Sequence, residues 1–113
     1  MKRLMLIPVA VAALSAVLAA AQSKQTFTGT ITDDECPRAD HSQMQMGPND
    51  AACTIACVED HAALYLLYDG KGSAYNLSDQ KMPKNFAGKK ATVTGTLDAK
   101  TNTIKVDSIT AAN

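Results

Sequence analysis

The feature that most constrains this chain is the run from Ala91 to Ile109, where residue character alternates with a period of two. Ala91, Val93, Gly95 and Leu97 alternate with Thr92, Thr94 and Thr96, Asp98 to Asn102 supplies a turn, and Ile104, Val106 and Ile109 carry the final strand. Such alternation places apolar side chains on one face of a strand and hydroxyls on the other. The break in the pattern near Asp107 predicts a bulge. Gln25 to Thr32 repeats the device, with Phe27, Gly29 and Ile31 opposite Thr26, Thr28, Thr30 and Thr32. A chain built this way must bury one sheet face, and its short strands call for a small barrel or sandwich.

Between these strands the pattern changes. Asp33, Asp34 and Pro37 stop the first strand, and a polar loop runs to Asp50. Asn49 or Asp50 can then cap a short helix from about Ala51 to Asp60. Ala62 to Asp69 is rich in Leu and Tyr and reads as a second strand. Asp69-Gly70-Lys71-Gly72 turns the chain, and Ser73 to Ser78 closes a hairpin. Lys81 to Gly88 reads as a short loop or helical turn in which Met82 and Phe86 plug the core. Five strands with a helical turn between the third and fourth is the element order of an OB-type barrel, which closes its sheet and protects its edges. The predicted fold class is mainly β: a small five-stranded OB-like barrel with a short cysteine-bearing helix inserted between strands 1 and 2.

The first residues set the expected compartment. Lys2 and Arg3 precede an apolar run from Leu4 to Leu18, and Ala19, Ala20 and Ala21 offer small side chains to a peptidase. This reads as a secretory signal peptide over residues 1–21, too short in its apolar core to span a bilayer. The expected product, residues 22–113, is one domain that is secreted or periplasmic and does not cross a membrane. Losing Lys2 and Arg3 from 11 basic residues leaves nine against 11 acidic ones. That mildly acidic balance argues against nucleic acid, whose phosphates reward a concentrated basic face.

All three cysteines, both histidines and two of the five methionines lie between Ile31 and His61. Cys36, His41, Cys53 and Cys57 supply three sulfurs and one imidazole nitrogen, the donor count and type for tetrahedral zinc, and thiolates equally suit copper(I). Met44 and Met46 add thioethers, soft donors that favour copper as auxiliary ligands. Export allows another use of the same residues. A disulfide from Cys36 to Cys53 or Cys57 would staple the insertion, with a stabilisation of roughly 3 kcal/mol from loop closure. In that case the partner is an unknown envelope component rather than a metal. His61 falls where an imidazole suits the helix dipole, and the acidic run Asp33, Asp34, Glu35 reads as a solvated patch or a hard-ion site. No nucleophile with an orienting base, oxyanion loop or phosphate-cradling glycine run is visible, so the chain reads as a non-enzymatic module.

The segments FTGTITDDEC, His41, CTIAC with Val58, YLLYDGKGSAYNL and GKKATVTGTLDAKTNTIKVDSI together resemble an uncharacterised family of small exported bacterial domains with an OB-like barrel. The resemblance covers nearly all of residues 22–113. It implies that Cys36, His41, Cys53 and Cys57 form a recurring polar cluster, while His61, Met44 and Met46 belong to this member. Pro37 stands where similar chains often carry glycine, which implies a different turn after Cys36.

Overall fold

A computed structural model describes residues 23–113. The leader expected over residues 1–21 lies outside the described residues. The strands are β1 (Gln25–Asp33), β2 (Tyr65–Tyr68), β3 (Ala74–Leu77), β4 (Lys90–Asp98) and β5 (Thr103–Ala111). One α-helix, α1 (Asp50–His61), lies between β1 and β2, and a 3-10 turn, Met82–Phe86, lies between β3 and β4. The protein is thus mainly β, with the helix where the sequence places it.

The strands pair in the order β1-β2-β3-β5-β4, and β1 pairs with β4 to close the five-stranded sheet in a ring. Every pair is antiparallel except β3 with β5, where Asn76 and Leu77 run alongside Thr103 and Ile104. The bulge predicted near Asp107 is present. Thr94 faces Ser108 while Gly95 faces Val106, so Asp107 is the extra residue on β5.

Alternation becomes burial inside the ring. Ile31, Tyr65, Leu67, Leu77, Ala87, Ala91, Val93, Ile104 and Ile109 form the core. Met82 and Phe86 pack against it from the 3-10 turn, as their plug role requires. A buried side chain of this class contributes about 1.5–3 kcal/mol relative to exposure, so a core this small leaves a thin margin.

The simple alternation fails at the end of β1. Thr32 and Asp33 are both fully buried, as is Ile31 between the two strand faces. The reason is that α1 and the loop before it fold back over the strand. Ile55 and Val58 on α1 pack against the main core, while Cys53, Cys57 and Ala63 form a second apolar cluster covered by Met46. Asp33, expected in a solvated acidic patch, therefore lies under the insertion. Asp34 secures the fold-back: its N–H donates to the Leu64 carbonyl at 3.0 Å, and its carboxylate accepts from the Leu64 N–H at 3.1 Å.

Candidate metal centre

The site is built on both sides of α1. Asn49 starts the helix in an extended conformation and its side-chain oxygen accepts from the Ala52 N–H at 2.8 Å, satisfying an otherwise unpaired donor of the first turn. Cys53, Cys57 and His61 follow at successive steps of four, so each sits about one turn beyond the last. Cys53 and Cys57 are buried and His61 is exposed.

Cys53 sits at the centre of a compact set of polar contacts. Its thiol donates to the Met44 carbonyl at 3.2 Å, and its sulfur accepts from the Met46 N–H at 3.3 Å. His41 Nδ1 lies 3.2 Å from the same sulfur, and His41 Nε2 lies 3.3 Å from the Thr54 hydroxyl. With the thiol proton on Met44, the consistent arrangement has Nδ1–H donating to sulfur and the Thr54 hydroxyl donating to Nε2. Two neighbouring helix residues thereby clamp one imidazole. A cleft of about 380 Å³, lined among others by Asp40, His41, Gln45, Asn49 and Cys53, leads to this pair.

Cys36 occupies the tight turn that leaves β1. Asp33 Oδ1 accepts from the N–H groups of Glu35 and Cys36, each at 3.0 Å, and the Thr32 hydroxyl donates to the Cys36 carbonyl at 2.7 Å. The turn is thus held by Asp33 and Thr32 upstream of Pro37. Burial pushes the Cys36 thiol pKa upward, and the nearby Asp33 and Cys53 push it the same way.

Cys57 faces a third environment. It is fully buried, and burial drives its pKa far upward, with the nearby Glu35 adding to the shift. Glu35 in turn lies 3.1 Å, through Oε2, from His61 Nδ1, and that contact holds the Glu35 carboxyl below its ordinary value. One ligand atom from each of Glu35, Cys57 and His61 lies within 4.8 Å of the other two, which makes this the group of closely spaced metal donors among the described residues.

The structure therefore distributes the expected donors. His41 and Cys53 meet directly, while Cys57 lies beside Glu35 and His61. Cys36 stands nearby at the turn after β1. Met46 packs on the sulfur cluster, whereas the Met44 residue is 42% exposed and reaches Cys53 through its backbone carbonyl. All three cysteines are free thiols, and no disulfide joins Cys36 to Cys53 or Cys57.

Three residues of the site escape sequence reading in this role. Thr54 looks like an ordinary helix residue, and Asp33 and Glu35 read together with Asp34 as a solvated patch or a hard-ion site, not as neighbours of the cysteines. The available signal was the spacing of His61 four residues beyond Cys57, which places the imidazole beside the thiol on one helix face. Among the described residues no helix is long and apolar enough to cross a membrane. No protein-family model, no curated protein and no solved structure matches this chain.

Proposed function

We propose that this chain is an exported, non-enzymatic module, an OB-like barrel whose insertion captures a soft metal ion, copper(I) or zinc. The OB-like assignment is supported by the strand order in the closed ring, the parallel β3–β5 pair and the helical turn before β4. Export rests on the leader-like residues 1–21. The resemblance of residues 22–113 to small exported bacterial domains extends to the cysteine-bearing insertion.

The observation that supports metal capture is the imidazole of His41 lying 3.2 Å from the free Cys53 thiol, with the free, buried Cys57 in the same cluster. Cys36, His41, Cys53 and Cys57 form the donor pool, and Met46 and Met44 are auxiliary thioethers for copper. A metal must displace each bound thiol proton as it forms a thiolate, so binding releases protons to solvent. The cleft beside His41 and Cys53 supplies an approach for the ion.

The test is metal content and thiol count by intact mass on the reduced protein, with and without a chelator, beside the double variant Cys53→Ser, Cys57→Ser. Wild type should carry metal and protected thiols, and the double variant should carry none while keeping its far-UV circular dichroism. Undiminished metal in the folded double variant overturns the proposal. A single thiol indifferent to chelator overturns it as well, in favour of a Cys36–Cys53 or Cys36–Cys57 staple.

A further inference from the structure

The C-terminal end of α1 carries a donor set of a different composition from the sulfur-rich pool. Glu35 comes from the turn after β1, and Cys57 and His61 from successive turns of the helix. Their ligand atoms lie within 4.8 Å of one another. In a tetrahedral site with bonds of about 2.0–2.3 Å, donors stand roughly 3.4–3.7 Å apart. Small side-chain rotations are enough to bring these three to that spacing. The Glu35–His61 contact, at 3.1 Å, is slightly shorter than that and opens a little to admit an ion.

A second observation points the same way. Asp33 is fully buried beneath the insertion, and its Oδ2 has no hydrogen-bond partner. Its Oδ1 is used by two backbone N–H groups of the turn that presents Glu35. A buried carboxyl oxygen without a partner is costly, and a cation bound close by offsets part of that cost. No lysine or arginine forms an ion pair with Asp33 or Glu35 among the described residues.

We propose that Glu35, Cys57 and His61 hold a divalent ion of the zinc class, with one coordination position left open to solvent. The inference rests on the reading of the insertion as a metal-capturing element and names its donors. A carboxylate, a thiolate and an imidazole form a mixed set that suits zinc, whereas copper(I) prefers sulfur donors. The thiolate and the carboxylate together balance the charge of the ion. On binding, the Cys57 proton leaves to solvent, and the Cys57 sulfur and the Glu35 carboxylate each gain a metal bond. The Glu35 and His61 side chains are 28% and 40% exposed, so the ion enters and leaves past them. Three protein donors with an open position suit an exchangeable ion better than a closed structural site does.

The experiment is zinc affinity, by competition with a chromophoric chelator, for the reduced protein and for Glu35→Gln, His61→Ala, His41→Ala and Cys36→Ser, each checked by circular dichroism. Glu35→Gln and His61→Ala should each weaken zinc by at least about tenfold, and by clearly more than His41→Ala and Cys36→Ser do. Cobalt(II) should give a thiolate charge-transfer band in wild type that fades with Glu35→Gln and His61→Ala at fixed metal. Loss confined to His41→Ala and Cys36→Ser, equal loss in all four, or copper(I) bound in clear preference to zinc overturns this donor set and leaves metal capture by the sulfur-rich pool standing. Wild type that binds neither ion overturns both proposals.

Discussion

Ala62 ends α1 with a φ of 56°, the left-handed region that side chains with a β-carbon resist. Its N–H and that of Ala63 both return to the Cys57 carbonyl, so the strained residue closes the helix directly beside the candidate ligands. Glycine meets no such penalty, although it loses more chain entropy on folding. Ala62→Gly should therefore stabilise the protein by about 0.5–1 kcal/mol, read as a higher urea midpoint at unchanged slope. A lower midpoint would mean that the alanine methyl contributes packing that outweighs the backbone strain. This stop was not legible from composition, because the helix signal expected at such a position is glycine. By contrast, Asn49 announced its cap, since a side-chain oxygen ahead of an alanine-rich run has one dominant local use.

At the scale of the element, the placement of α1 depends on a residue far away in sequence. Gly88 has a φ of 72°, and a β-carbon there would come within 2.6 Å of the Ala51 nitrogen and 2.9 Å of its α-carbon. Its N–H also donates to the Ile31 carbonyl at 2.8 Å, so one residue joins β1, the 3-10 turn and the start of the helix. Gly88→Ala should cost roughly 1–3 kcal/mol, from backbone strain and displacement of the helix start. Faster hydrogen exchange confined to the α1 amides, with β4 and β5 still protected, would locate the damage. Unchanged exchange in α1 would show that the helix does not lean on Gly88. The Asp107 bulge was legible at this scale because it interrupts a local repeat. The docking of α1 across Thr32 and Asp33 was not, because nothing local distinguishes a strand end that will be covered from one left in water.

For the molecule as a whole, the turns that set the ring carry a pH signature. Asp69 accepts from the N–H groups of Lys71 and Ser73 in the β2–β3 turn, and Asp79 accepts from Lys81 and Met82 ahead of the 3-10 turn. These hydrogen bonds favour the ionised forms and hold both carboxyls below their ordinary value of 3.8. A group lowered on folding binds fewer protons in the native state, so its stabilisation is present above the ordinary value. It is lost as pH falls through the lowered one. The double variant Asp69→Asn, Asp79→Asn should show a shallower fall in stability than wild type between about pH 5 and 2, measured by urea unfolding at each pH. Equal slopes would assign the acid sensitivity to other carboxyls. The sequence by itself determined the strands, their turns, the bulge and the capped helix, because period and capping are properties of neighbouring residues on one backbone. It also singled out Cys36, His41, Cys53 and Cys57 by residue type. Only the tertiary structure decided which donors meet. Folding α1 back over the end of β1 buried Asp33, set His41 against Cys53 and Thr54, and brought Glu35 to Cys57 and His61. Those contacts join residues well apart in the chain, and their geometry follows from the packing of one element on another, which no local pattern encodes.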